Sequence, residues 1–335
     1  MRAAVIKTAG GPVEIQEHER PTPGSDEVLI RVRACGLCHG DLMVKEGQFP
    51  FARYPVVPGH EIAGVIEAIG ERVQFLACGT RVGLSALFSS CGVCSQCLGA
   101  DEFLCEKLEF TGITKDGGFQ EYVLAPAAYV APIPESIGFV EAAPLMCAGL
   151  TVFSGMRHAG FEHGNKVAVI GLGGLGHMAV LFAKSMGGRV AVISTSANKK
   201  AEAEALGAEQ FIHAKTTNTA NALKRWDGAD LILATAPDAE VMAEAFPGLA
   251  PNGTMMVLGA PFAPISVSAF DLIMGRRRLM GSPAGSRKDL MDMLAFAELH
   301  GIRPQVNCIP LEHLPNAFEE MGRGHMSRRT VVVME

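Results

Sequence analysis

Positive charge is not in excess in this chain: 29 lysines and arginines stand against 35 aspartates and glutamates, a formal net charge of −6 with histidine neutral. Bulk charge of that sign excludes a basic nucleic-acid binder. A long uninterrupted apolar run is also missing. The most apolar stretch, from Val167 to Ala183, is broken by four glycines and His177, whereas a membrane span needs about 20 mostly apolar residues. It reads as a buried strand and helix, and no membrane partner is expected. The opening MRAAVIKTAG has no apolar stretch of signal-peptide length and reads as a first strand, so a cytoplasmic protein is expected. Repeats, low-complexity tracts and charge blocks are absent, and the Arg276 to Arg278 triplet reads as a solvated turn.

What is present is apolar mass and glycine. With 48% hydrophobic and 19% charged residues, 335 positions suffice for two large cores, and disorder is excluded. Glycine, at 38 residues, exceeds the roughly 7% average and predicts many tight turns or close backbone approaches. Up to about residue 130 the pattern alternates (VEIQE, EVLIRVRA, EIAGVIEAIG, GFQEYVLAP), the mark of half-exposed antiparallel strands in a rolled or sandwiched β domain. From about residue 149 strands alternate with helices: KVAVIGLG, a helix from about Leu175 to Met186, RVAVIST, a helix from about Asn198 to Leu206, EQFIHA, DLILATA and TMMVLGA. That rhythm predicts a parallel, doubly wound sheet. After Pro283 it stops, and a helix and a closing strand TVVVME read as a return to the first domain. The expected division is therefore 1–148 completed by 284–335, with 149–283 between them.

Directly after KVAVI comes Gly171-Leu172-Gly173-Gly174-Leu175-Gly176, at a strand-to-helix turn. Gly171 permits the turn, Gly173 and Gly174 let backbone approach a pyrophosphate, and Gly176 lets helix and strand pack, with the helix N-terminus facing the anion. A dinucleotide site is expected. An NAD fold usually places Asp or Glu about 20 residues on, at the end of the second strand. Here that strand end reads Ser194-Thr195-Ser196, followed by Lys199, with no carboxylate. Hydroxyls and a lysine suit a 2′-phosphate, so NADP(H) is expected over NAD(H); the alternative is a helix cap with a solvated lysine.

Nine cysteines in a chain expected in a reducing compartment need an explanation other than disulfides. Cys91, Cys94, Cys97 and Cys105, spaced C-x2-C-x2-C-x7-C, fit a closed tetrathiolate zinc site that staples a loop. An iron–sulfur cluster, whose usual spacings differ, and coincidental buried thiols are the alternatives. Cys38, His60 and Cys147 form a second, dispersed set. Two thiolates and an imidazole are a recognised catalytic zinc set. Spacing alone does not bring together residues so far apart, and a lone histidine is more often structural than a ligand. Cys35, Cys78 and Cys308 belong to no pattern.

Taken in order, C-G-L-C-H-G-D, V-P-G-H-E-I-A-G, the four-cysteine lobe, P-L-M-C-A-G-L-T and G-L-G-G-L-G resemble the zinc-containing alcohol dehydrogenases of the medium-chain dehydrogenase/reductase superfamily, along the whole chain. The VISTSANKK segment is most similar to the NADPH-linked cinnamyl alcohol dehydrogenase and aldehyde reductase branches. The resemblance implies an α/β chain, a GroES-like β-rich catalytic domain joined to a Rossmann domain, with two zinc ions, one catalytic and one structural. It implies that Cys38, His60 and Cys147 bind the catalytic zinc, that Glu61 can enter its coordination shell, and that Asp41 orients His60. By the same matching His39 would reach the cofactor pyrophosphate, Thr151 would pack on the nicotinamide, and Arg329 would pair with a phosphate. A homodimer or homotetramer acting on a small alcohol or aldehyde is expected, zinc acting as a Lewis acid beside hydride transfer. Phe49, Phe51, Leu87 and Phe88 are candidates to line an apolar pocket.

One departure stands out. The family usually has Ser or Thr two positions after the first cysteine ligand and often His three further on, a relay for the alcohol proton. Here these are Gly40 and Met43, neither of which carries a proton. That motivates an alternative, an NADPH-linked reductase of an activated C=C or C=N bond on the same scaffold. A non-catalytic zinc- and nucleotide-binding sensor is the alternative from another class, and the intact ligand set argues against it.

Overall fold

The computed structural model describes residues 1–323 and 329–334. They form two compact units, one of residues 1–147 and 286–335, the other of 148–285. The first junction lies one residue before the expected one and the second two residues after it.

In the first unit the alternation seen in the sequence becomes a seven-stranded sheet. Its order is Val306–Pro310, Arg329–Val333, Glu27–Leu37, Glu61–Ile69, Arg81–Leu84 and Ala131–Pro132, with Tyr122–Pro126 also paired to Glu27–Leu37. All neighbours are antiparallel except the first two strands. The long strand Glu27–Leu37 is the hub. Two register shifts against Glu61–Ile69 bend it, as bulges do, so one strand serves three partners. Ile30, Val32, Ile62, Ile66 and Phe119 are buried beneath it, and Phe119 meets Phe318 edge-on at 6.2 Å. Phe318 sits on the helix Leu314–Gly322, which shows how the C-terminal segment completes this core. Burying each such side chain contributes about 1.5–3 kcal/mol.

The second unit carries a six-stranded parallel sheet in the order Gln210–His213, Arg189–Ser194, Lys166–Ile170, Ala229–Ala234, Leu249–Val257 and Arg278–Gly281. The strands Lys166–Ile170 and Arg189–Ser194 are buried at all but their first residues, as continuous apolar strands covered on both faces must be. The order reverses beside Lys166–Ile170, which places the glycine turn at the switch point where such sheets bind ligands. The arginine triplet is not simply solvated. Arg276 is left-handed at a helix end, while Arg277 turns inward to donate to the Leu249 carbonyl at 3.0 Å and to face Asp271 at 3.6 Å.

Among the described residues one helical stretch, Phe139–His158, is long and apolar enough to cross a membrane, and 78% of its most apolar window is buried inside the protein. A core helix passes the same test. Its π-helical turn Leu145–Gly149 carries Cys147.

Candidate active site

The hub strand delivers the site. Directly after Leu37 the chain turns, and Cys38 occupies the position before the helix His39–Lys45. Asp41, fully buried in that helix, accepts hydrogen bonds from the Cys38 and Gly59 amides, both at 2.9 Å, and lies 3.1 Å from His60 Nδ1. The carboxylate thus fixes three parts of the site at once. Gly59 precedes His60 with φ +101°, and a Cβ there would strike Cys35 Sγ at 2.8 Å and the Phe119 ring at 2.9 Å, so only glycine makes this turn.

Although Cys38 and Cys147 are 109 positions apart, their sulfurs lie 3.7 Å from one another. Sulfurs on a tetrahedral metal at about 2.3 Å stand about 3.8 Å apart. One ligand atom from each of Cys38, His60, Glu61 and Cys147 lies within 4.8 Å of the others. The donor set is therefore spaced for zinc, and both Glu61 carboxyl oxygens are buried without a hydrogen-bond partner, as a carboxylate reserved for a metal would be.

Glu61 reaches this place through Gly36. The register sets Gly36 opposite Glu61 on one side and Val331 on the other, with Arg329 two residues before Val331. A Cβ on Gly36 would overlap the Glu61 carboxyl. Over this gap Arg329 Nη2 comes to 3.1 Å from Glu61 Oε1, and Nη1 donates to the Leu37 carbonyl at 3.4 Å. The distance is that of a hydrogen bond but the alignment is not, so the contact is chiefly electrostatic. Arg329, expected on a cofactor phosphate, also stands beside Glu61 and the Leu37 carbonyl.

Burial pushes the Glu61 carboxyl up to about 8, outweighing the Arg329 cation. The hydrogen bond from Cys147 holds the Cys38 thiol well below its usual range, with His60 and Arg329 adding to it against the cost of burial. Burial opposes a charged His60, yet Asp41 and Cys38 raise it well above the usual imidazole value. Zinc binding exchanges such protons for the metal.

In the second cluster Cys94 and Cys97 sulfurs are 3.5 Å apart and Cys91 and Cys97 3.9 Å, and Cys105 completes a group within 4.8 Å. The backbone amide of Cys94 donates to Cys91 Sγ at 3.3 Å, and the amides of Cys91 and Lys107 donate to Cys105 Sγ, each at 3.4 Å. The Val93 and Cys94 amides draw the Cys91 thiol down to about 6. These are the marks of a thiolate site held by its own loop. Cys35 is buried beside Gly59 and Glu61 but belongs to neither donor group, and Cys78 and Cys308 are exposed.

In the second unit the turn behaves as the glycines require. Gly171 has φ +89° and leaves no room for a Cβ beside Ala236, whose own Cβ would be 2.6 Å away. A Cβ on Gly173 would meet nothing within 4 Å, so bare backbone at the N-terminus of the helix Gly174–Ser185 faces open space that a pyrophosphate can fill. Ser194, the last residue of its strand, accepts from the Ser196 amide at 3.2 Å, and the Thr195 carbonyl lies 3.2 Å from His213 Nε2. Lys199 is held by Glu202 at 2.7 Å. The strand end carries no carboxylate, as read, but a carboxylate from the following helix has come to the lysine.

Thr151 is buried on its helix, and His39 is exposed at the first position of the helix His39–Lys45. Leu87 and Phe88 are core residues, while Phe51, half-exposed, packs against Phe49 at 5.3 Å and stacks on Phe110 at 5.2 Å. Gly36, Gly59 and the Glu61–Arg329 contact escaped sequence reasoning; the glycines were visible, but what they make room for depends on strand register.

Metal-ready donors on one unit and a nucleotide turn on the other are the equipment of a metal-assisted dehydrogenase. Comparison with known proteins agrees. Residues 24–135 match the alcohol dehydrogenase GroES-like domain, and residues 174–298 match the zinc-binding dehydrogenase family. An alcohol dehydrogenase of Moraxella sp. (strain TAE123) is 40% identical over 99% of each chain. A cinnamyl alcohol dehydrogenase of Sorghum bicolor superposes with a TM-score of 0.90 at 34% identity, over 99% of this chain and 97% of that one. The CAD of Helicobacter pylori complexed with NADP(H) does so with a TM-score of 0.90 at 29% identity, over the same shares. The chain belongs to the zinc-containing alcohol dehydrogenases of the medium-chain dehydrogenase/reductase superfamily. It is an NAD(P)-dependent alcohol dehydrogenase or aldehyde reductase, and its substrates are small alcohols or aldehydes.

Proposed function

We propose that the chain reduces aldehydes to primary alcohols with NADPH, using Cys38, His60 and Cys147 as ligands of a catalytic zinc and Cys91, Cys94, Cys97 and Cys105 as ligands of a structural one. The observation that carries this reading is the convergence of Cys38, His60, Glu61 and Cys147, scattered along the chain, within 4.8 Å. Bound zinc would polarise the carbonyl as a Lewis acid, and the nicotinamide would supply the hydride.

The remaining work falls to the chain. Asp41 pins His60 Nδ1, which fixes the ring and leaves Nε2 as the ligand nitrogen. Glu61 is close enough to exchange for a departing ligand, and Arg329 balances its charge. Gly173 and the helix behind it would bind the pyrophosphate, His39 would pair with it, and Thr151 would pack on the nicotinamide. Ser194, Thr195, Ser196 and Lys199 would hold the 2′-phosphate. Neither Gly40 nor Met43 moves a proton, so the alcohol proton would come from water, a route that burdens oxidation more than reduction near neutral pH.

The protein is proposed to work in the cytoplasm as a homodimer. Support for the dimer lies in the open edge strand Arg278–Gly281, which carries the exposed Leu279, and in the exposed Phe262, Phe270, Ile273 and Met274 of the segment that leads into it. Light scattering that returns a monomer would remove that part.

The deciding experiment runs saturated aldehydes, α,β-unsaturated aldehydes and alcohols with NADPH and NADH, identifies products, and counts zinc. Reduction of the carbonyl with NADPH preferred and two zinc ions per chain is expected. Saturation of the C=C bond, or one zinc, would overturn it. Ser194→Asp should repel NADPH and offer NADH ribose a partner, reversing the preference.

A further inference from the structure

The lysine that the cofactor reading assigns to a 2′-phosphate already has an anionic partner. Lys199 Nζ lies 2.7 Å from Glu202 Oε2, and the other oxygen of the same carboxylate lies 3.7 Å from Nδ1 of His177. His177 belongs to the helix Gly174–Ser185 that opens at the glycine turn, and Lys199 ends the short turn Ala197–Lys199 that follows the second strand. Glu202 therefore stands between the two elements that frame the adenosine end of a dinucleotide in this kind of sheet. The three side chains are partly covered, at 14%, 23% and 34% exposure for His177, Lys199 and Glu202, so water does not fully screen them.

Two consequences follow from charge alone. A 2′-phosphate carries about −1.5 to −2 charge and must draw Lys199 from Glu202 or share it. It must also sit near a carboxylate of its own sign, which costs affinity. The ribose hydroxyl of NAD(H) makes neither demand, because it bears no charge. With NAD(H) bound, the Lys199–Glu202 pair stays whole.

We propose that Glu202 is a specificity-determining residue that restrains the preference for NADP(H) over NAD(H) by holding Lys199 and opposing the 2′-phosphate. The proposal rests on the reading that Lys199 receives that phosphate. Glu202 makes the site permissive: the lysine and hydroxyls favour the phosphorylated cofactor, and the carboxylate keeps the margin small.

The test uses the zinc-replete protein and two fragments, 2′,5′-ADP and 5′-AMP, which differ by the phosphate in question. Affinities are measured by isothermal titration calorimetry at pH 8 and low salt, where the 2′-phosphate is dianionic. Glu202→Gln should tighten 2′,5′-ADP by about three- to tenfold, the scale of a partly exposed ion pair together with a like-charge contact, and leave 5′-AMP unchanged. Glu202→Asp, which retains the charge, should return 2′,5′-ADP most of the way to the parent value. Lys199→Ala should weaken 2′,5′-ADP and spare 5′-AMP. If Lys199→Ala weakens 2′,5′-ADP but Glu202→Gln leaves it unchanged, or improves both fragments equally, the role of Glu202 is overturned while the phosphate reading stands. If Lys199→Ala leaves 2′,5′-ADP untouched, the phosphate reading falls and the role of Glu202 falls with it.

Discussion

Replacing Gly36 by alanine tests how the buried carboxyl beside the metal ligands is accommodated. Gly36 is not in a left-handed conformation, so the backbone itself accepts alanine. The new methyl, however, would overlap the Glu61 carboxyl and lie 3.0 Å from Glu61 Cβ. Glu61 is wholly buried and cannot turn to solvent, so it must push into its neighbours and away from Arg329. Over-packing costs about 1–3 kcal/mol, and depriving the buried guanidinium of its partner costs about 1.5–3 kcal/mol. Glycine to alanine returns about 0.4–1 kcal/mol through the unfolded chain, so a net loss of about 2–5 kcal/mol is expected.

For a unit of this size that loss corresponds to a fall in Tm of about 5–15 °C. The single tryptophan, Trp226, lies in the other unit, so its fluorescence would report the wrong transition. Calorimetry of the zinc-replete protein, followed with circular dichroism, resolves the two. The same Gly36→Ala change is then made in a Glu61→Ala background, where the methyl meets no carboxyl and the cost should drop below about 1 kcal/mol. An equal cost in both backgrounds, or no measurable cost in the parent, would refute the reasoning.

Three further outcomes are expected. Cys97→Ser should lower the zinc content from two ions to one per chain by elemental analysis and destabilise the first unit, because the metal closes a loop that has little core of its own. Glu61→Gln should change the pH dependence of stability of the zinc-free protein. Since Glu61 is raised from 4.5 to about 8, the folded state keeps a proton that the unfolded state has lost, and the parent loses stability relative to the variant as pH rises from about 4.5 through 8. A difference that is flat over this window would contradict it. At position 40 a Cβ would sit 3.1 Å from His60 Cε1, a ring that Asp41 already holds, so Gly40→Ala should lower turnover, whereas Gly40→Thr should exceed Gly40→Ala in alcohol oxidation at neutral pH by about tenfold or more. Equal rates for Ala and Thr would show that protons leave by another efficient route.

What could be read in the sequence was what lies close together along it. The thiolates of Cys91, Cys94, Cys97 and Cys105 and the glycines of 171–176 are local groups whose spacing reflects their geometry, and the alternation of strands and helices from Lys166 onward reflects a sheet covered on both faces. The dispersed donors became legible only through family resemblance. No periodicity relates Cys38 to Cys147, since a strand, a sheet register and a π-helical turn together bring their sulfurs to 3.7 Å.

Arg329 shows why the rest was hidden. Family resemblance assigns it to a cofactor phosphate, and nothing in RRTVVV points to the carboxylate it stands beside. Its partner is chosen by three strands in register, Arg329–Val333, Glu27–Leu37 and Glu61–Ile69, and by the missing side chain at Gly36 in the middle one. Lys199 is the contrasting case. Glu202 is only three residues away, a separation at which helical side chains meet, so this pair was within reach of sequence reasoning that looked beyond the strand end. A charge near a cofactor site is therefore assigned safely only after the charges three and four residues away, and those across the sheet, have been given the chance to claim it.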